Sequence, residues 1–367
     1  ALKRYDLRTG VCVGQAAMLN PQTAVAADVM GRIGAAMGGQ GSALQAQVTG
    51  ALAELLRQAG GAADSLVVTG NTAMLYLLTG RNPETLSHAP FTADCLFGIE
   101  AELLGARAYL PPCMNAFVGA DITCAALASG LCDQPQTALL CDIGTNGELA
   151  LWHGGRLYVT STAAGPAFEG AGISCGCGSV RGAIDRVWVE GSALGAHVLG
   201  NVPATGLCGS GLIDAVAAML RLGWIDETGA SDADRLPLRD GVALLPRDIR
   251  AVQLAKAAIA AGIQTLLQTV GVRCAEVGSL YIAGGFGSHL NISSAVGIGL
   301  IPRELGPRVQ VVGNAALAGA SRLLLEERLA ERAAAIVAAS EHVALGGNPR
   351  FNDNYMEQML LPTEEAE

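Results

Sequence analysis

Residues 142–148 read Asp-Ile-Gly-Thr-Asn-Gly-Glu and lie between two apolar runs, 138–141 and 149–152. A third run, 157–160, follows the pair Gly154-Gly155, so the stretch reads as a three-strand meander with two tight turns. In the first turn Gly144 and Gly147 let the backbone approach a ligand, and the amides of Thr145 and Asn146 can face an anion. Asp142, at the strand end, is placed to hold a cation beside that anion. An ordinary hairpin, whose Asp, Thr and Asn satisfy their own backbone, fits the same letters. Gly209-Ser210-Gly211 opens a helix and reads either as a phosphate-facing helix start or as a simple cap.

Composition sets limits on what those turns serve. The 367 residues are 51% hydrophobic and only 4% aromatic, with 48 glycines. Such a chain packs with Ala, Leu and Val, is long enough for two lobes and is not disordered. No apolar run approaches the ~20 residues of a bilayer helix, and no signal segment opens the chain, so a soluble protein is expected; the unclustered cysteines point to a reducing cytoplasm, so the expected location is cytoplasmic. The net charge of −10 argues against nucleic acid as a partner. Any nucleotide must then be held by local amides and a metal.

The ten cysteines lack the close clusters of a zinc site or a ferredoxin loop, and most sit in apolar runs as small hydrophobes. Cys175-Gly176-Cys177 is the exception, readable as a redox or metal pair or as a structural pair near a turn.

The elements that must position these residues follow in order. Residues 2–7 and 11–18 read as a strand pair, 24–37 and 43–58 as helices, 66–69 as a strand, and 80–112 as an insertion or loop. Residues 116–121 read as a strand that ends at Asp121 and opens a helix. After the meander come a strand pair at 184–199, a helix at 212–222, a long helix at 248–270, and strands 279–283 and 309–312, the last leading into a helix at 315–325. The strand at 66–69 followed by Gly70 matches 280–283 followed by Gly284, and 117–120 matches 311–314. An internal duplication of one α/β lobe is expected, with domains at 1–135 and 136–367. The twin of the Asp142 turn should precede Leu2, so the first lobe is expected to lack its first strand here.

Taken together, these blocks resemble the acetate and sugar kinase, heat-shock chaperone and actin superfamily. The resemblance implies two ribonuclease-H-like lobes of actin-like ATPase type with a central cleft. Within it, the Asp142 turn, Gly165-Pro-Ala-Phe-Glu-Gly170, Cys208-Gly-Ser-Gly211, Ala255-Lys-Ala-Ala-Ile259, Ala283-Gly-Gly-Phe-Gly287 and Val312-Gly-Asn-Ala315 resemble the reductive activators of corrinoid-dependent enzymes. That family implies ATP-coupled return of Co(II) to Co(I) in a corrinoid protein or corrinoid methyltransferase, with ATP and Mg²⁺ as cofactors. Its two-iron ferredoxin cluster is expected only in a full-length protein, because these residues hold no matching cysteine pattern.

The resemblance also distributes roles. It implies phosphate contacts for Gly144, Thr145 and Asn146, with Asp142 near Mg²⁺. Gly284, Gly285, Phe286 and Gly287 match the superfamily's adenosine turn. Asp121 matches the strand end where sugar kinases present an acidic base, so it could orient a water; a buried helix-cap Asp is the alternative. Glu148 and Glu169 are further acidic candidates, and Asn314 closes a strand turn. A small-molecule kinase and a non-hydrolysing binding module stay open beside the activator, and a homodimer is a further expectation.

Overall fold

The computed structural model describes residues 1–285 and 290–363. In chain order the first elements are β1 (Leu2–Asp6), β2 (Val11–Ala16), α1 (Val29–Ala35), α2 (Gly41–Gln58), β3 (Ser65–Val67), α3 (Thr72–Thr79), β4 (Ile99–Leu103), β5 (Ala106–Leu110) and α4 (Ala120–Ser129). Then come β6 (Ala138–Ile143), β7 (Gly147–His153), β8 (Arg156–Thr162), β9 (Ala183–Glu190), β10 (Ala193–Val198), β11 (Gly206–Leu207), α5 (Gly209–Arg221), β12 (Leu236–Pro237), β13 (Ala243–Leu244) and α6 (Pro246–Val270). The chain ends with β14 (Ser279–Ala283), α7 (Ile292–Gly297), β15 (Val309–Gly313), α8 (Ala315–Leu325), α9 (Leu329–Ala338) and α10 (Pro349–Glu357). Packing divides it into two units, and the first takes residues 1–134, 155–157 and 314–342.

In the first unit β1 and β2 form an antiparallel hairpin, while β3, β5 and β4 form a separate three-stranded sheet. Asn71 caps α3 by accepting from the Ala73 amide, and Gly80 ends that helix in the left-handed conformation. The helix buries Leu75, Tyr76 and Leu78, the first and last of them against Leu110 of β5. α4 is buried nearly all round and packs on α8 so closely that a Cβ at Gly319 would fall 2.0 Å from the Cys124 carbonyl oxygen. β1 and β3, each paired on one side only, both line a cavity of about 840 Å³ that the apolar faces of α2 and α8 also line.

Two sequence expectations fail in this unit. Residues 80–112 are not all loop: 99–110 form the β4–β5 hairpin, and β5 is the central strand of its sheet. Its turn is Leu104-Gly105, both at positive φ, the backbone that a two-residue hairpin turn demands and that Asn-Gly more commonly supplies. Residues 116–118 are not a strand. The amides of Met114 and Asn115 both donate to the Val118 carbonyl, and Asn115 Oδ1 accepts from the Phe117 and Val118 amides, which folds the segment into a tight turn. The proposed match of 117–120 with 311–314 therefore pairs a turn with a strand.

The second unit is built on a sheet in which β15, β14, β6, β7 and β8 are successive neighbours. β14 runs parallel to both β15 and β6, and β6 pairs antiparallel with β7, as the meander required. α6 covers this sheet with small side chains; a Cβ at its Gly262 would lie 2.6 Å from Leu149 Cδ1. β9 pairs with β10 on one side and with β11 on the other, and α5 packs against β9. Polar groups on α6 hold the C-terminal segment: Gln253 Nε2 donates to the Met359 carbonyl at 3.0 Å, and Lys256 Nζ donates to the Leu360 carbonyl. No described helix is long and apolar enough to cross a membrane.

Candidate functional site

The C-terminal ends of three parallel strands meet in the second unit. Ala283 of β14 pairs with Asp142 of β6 on one side and with Gly313 of β15 on the other. Gly284, the next residue, has φ +99° and donates its amide to the Gly313 carbonyl at 3.0 Å. A Cβ there would fall 2.8 Å from Asp142 Oδ1 and 2.8 Å from the Ile143 carbonyl oxygen, so only glycine fits beside this carboxylate. Strand ends of this kind are where open α/β sheets bind ligands.

The hairpin itself sets the acidic pair. Asp142 faces Glu148 across the antiparallel ladder, and directly opposed residues share a face of the sheet. Between them the Gly144 amide donates to the Asn146 carbonyl at 3.1 Å. Gly144 is open, as ligand approach requires, because a Cβ there would meet nothing nearer than the Asn146 carbonyl oxygen at 3.5 Å. Gly147 is glycine for another reason, since its Cβ would strike Thr162 Oγ1 at 2.7 Å and Ile259 at 2.9 Å. Thr145 is held from three directions: its carbonyl accepts from the Gly165 amide at 2.9 Å, its amide donates to Glu169 Oε1 at 3.1 Å, and its hydroxyl donates to Glu169 Oε2. Nothing local in the sequence links residues 24 positions apart, so the clamp was not legible there.

Other predicted residues lie elsewhere. Gly209, Ser210 and Gly211 form the first turn of α5 and are buried. Ser210 Oγ donates to the Asp185 carbonyl at 2.9 Å, and Gly211 packs so tightly on β9 that a Cβ would fall 2.4 Å from Ile184 O. Gly285 is described, whereas Phe286 and Gly287 lie outside the described residues. In the first unit, Asn314 caps α8 by accepting from the Leu317 amide at 2.9 Å. Asp121 sits in the first turn of α4, half-buried, with Oδ1 accepting from the Ile122 amide at 2.9 Å and its own amide donating to the Gly70 carbonyl at 3.4 Å. Desolvation pushes its carboxyl up to about 6, against the pull of those amides. The starts of α3 and α4 touch there, because a Cβ at Gly119 would fall 2.6 Å from Asn71 Cα.

The donor set suits a phosphate chain and a hard cation. Mg²⁺ commonly takes one or two carboxylates, with phosphate and water completing its shell, and Asp142 with Glu148 supplies that number. Cys175 and Cys177 carry raised thiol pKa values from burial, and no group of three or more His, Cys, Asp or Glu suited to a metal occurs among the described residues.

This sheet and its glycine-bounded strand ends define an actin-like ATPase domain of the ASKHA class, in general a nucleotide-binding class. The profile of the C-terminal ASKHA domain of RACo matches residues 136–367, and that of the RACo middle region matches residues 1–134; the chain belongs to this family. It is 34% identical over 399 residues to the corrinoid activation enzyme RamQ of Eubacterium limosum, covering 96% of this chain and 67% of that protein. It is 30% identical over 298 residues to a [Co(II) methylated amine-specific corrinoid protein] reductase of Methanosarcina barkeri, covering 75% of this chain and 55% of the relative. Among solved structures, a reductive activator for corrinoid, iron-sulfur protein superposes with a TM-score of 0.89 at 30% identity, over 99% of this chain and 64% of the other. The chain thus spans about two thirds or less of these relatives.

Proposed function

We propose that this chain is the nucleotide-responsive and partner-docking part of a reductive activator that returns a corrinoid protein from Co(II) to Co(I). The observation that carries the nucleotide half of this reading is the strand-end cluster of Asp142, Gly284 and Gly313, where the Gly284 backbone approaches the Asp142 carboxylate too closely for any side chain. The corrinoid half is supported by the names of the relatives and by family membership across both parts of the chain. In this reading Gly144, Thr145 and Asn146 hold ATP phosphates, Asp142 with Glu148 holds Mg²⁺, and Gly284 and Gly285 border the adenosine. The cation would neutralise phosphate charge. The Gly209–Gly211 turn belongs to the scaffold, since Ser210 and Gly211 are committed to β9.

Residues 1–135 are read as the first lobe of the superfamily fold and 136–367 as the second. The support for the first is that β1 and β3, each paired on one side only, line one common cavity of about 840 Å³. The reduction adds one electron to cobalt, and its donor is expected to be an iron-sulfur cluster in a full-length protein. The test is to mix the full-length protein with a Co(II) corrinoid protein and a low-potential reductant, and to follow Co(I) by its absorbance. Co(I) should form only with ATP and Mg²⁺; formation at the same rate without nucleotide would remove the coupling. A second reading, a small-molecule kinase, is favoured by the raised carboxyl of Asp121, which suits a base near neutral pH. ADP release without any added acceptor would count against it.

A further inference from the structure

The Glu169 carboxylate makes two hydrogen bonds to one residue, one oxygen to the Thr145 amide at 3.1 Å and the other to the Thr145 hydroxyl. Both donors belong to the turn assigned above to phosphate. A carboxylate and a phosphate oxygen ask for the same thing of such donors, and charge-assisted bonds of this kind are the strong ones. One amide and one hydroxyl cannot serve both anions in full.

The backbone that carries Glu169 is fixed on both sides. Before it, Gly165 at φ +78° donates its amide to the Thr145 carbonyl, so the two turns are tied together. After it, Gly170 at φ +83° lies so close to Cys177 that a Cβ would fall 2.7 Å from that residue's backbone nitrogen and oxygen. The Ala171 amide closes the turn on the Pro166 carbonyl at 3.1 Å. The side chain is different: Glu169 is exposed, so its carboxylate can leave Thr145 for water by rotating about its own bonds while the turn stays in place.

We propose that Glu169 is a carboxylate latch on the phosphate turn, an internal anion that a nucleotide's phosphate chain must displace from Thr145 before it can bind there. The inference rests on the nucleotide reading of that turn. The latch lowers affinity for every phosphate ligand and favours those that bring enough charge and enough oxygens to displace it. It leaves the adenosine part of the site untouched.

The test is calorimetric titration of this chain with Mg-ATP, Mg-pyrophosphate and adenosine, for the unaltered protein, Glu169→Gln and Glu169→Ala. Both variants should bind Mg-ATP and Mg-pyrophosphate about tenfold tighter or more, as removal of the competing charge from the two Thr145 donors implies, with adenosine affinity unchanged. Weaker or equal binding of the phosphate ligands by the variants, with the unaltered protein still binding, overturns the latch and leaves the nucleotide reading standing. A gain that extends equally to adenosine also overturns it, since a general loosening of the site would do that. Absence of Mg-ATP binding in all three proteins overturns the nucleotide reading and the latch together.

Discussion

Lys256 has no exposed surface, and its ammonium meets the Leu360 carbonyl; desolvation lowers its pKa from 10.5 to about 8. The unfolded chain therefore binds more protons than the folded one between about pH 8 and 10.5, and this group adds stability as pH rises through that window. Burial of the charged form costs about 3 kcal/mol at pH 7 on the same linkage. Buried thiols pull the other way, because Cys113, Cys124 and Cys132 are each pushed up to about 12 and stay protonated in the fold after the unfolded chain has lost those protons. The Lys256 contribution is thus read as a difference: urea midpoints of the unaltered protein should move in its favour relative to Lys256→Met by about 3 kcal/mol between pH 7 and 10.5. A constant difference would show that the ammonium is not desolvated. Asp142 gives the matching test of chemistry. On the nucleotide reading proposed above, Asp142→Ala should weaken Mg-dependent nucleotide binding by about 100-fold. Undiminished binding would remove Asp142 from the metal role.

Helices and strands explain what the sequence disclosed and what it withheld. The β6–β8 meander, α5, α6, β14 and α8 carry period and punctuation strong enough to be read directly, and the structure places them within a few residues of the expected bounds. The β4–β5 hairpin stayed hidden because its buried positions are largely small, Ala106 and Ala108, and its turn uses Leu104-Gly105. Phe117 and Val118 are apolar enough to pass for a strand, yet the Asn115 side chain takes both their amides. The return of residues 314–342 to the first unit depends on a close approach that no local pattern announces, that of Gly319 to Cys124. That approach is testable. Gly319→Ala would place a methyl 2.0 Å from a backbone oxygen, so α8 must back away from α4, and urea unfolding should register a loss of about 2 kcal/mol or more. Among the described residues Gly285→Ala meets nothing within 4 Å of the added carbon, so it serves as the control, with stability changed by less than about 1 kcal/mol.

The whole protein is proposed to join two binding events, nucleotide in the ASKHA domain and a corrinoid protein at a docking surface, and thermodynamics constrains any such junction. If bound nucleotide changes the affinity for the Co(II) corrinoid protein by some factor, the corrinoid protein must change the affinity for nucleotide by the same factor. Couplings of this sort typically amount to about 5- to 150-fold. The chain as it stands can be tested for this without any electron donor, because reciprocity concerns binding and not turnover. Affinity for the Co(II) corrinoid protein should be measured with and without saturating non-hydrolysable nucleotide, and nucleotide affinity with and without saturating partner. The two ratios should agree and should exceed fivefold. Two ratios of one would mean that nucleotide and partner bind without reference to each other, and coupling would then have to reside in hydrolysis alone. If Asp121 orients the attacking water, as the superfamily resemblance implies, Asp121→Asn should slow ADP release by about 100-fold or more and leave both binding ratios as they were. With burial pushing that carboxyl up to about 6, hydrolysis that uses it as a base should fall as pH drops below that value, and the Asn variant should lose that dependence.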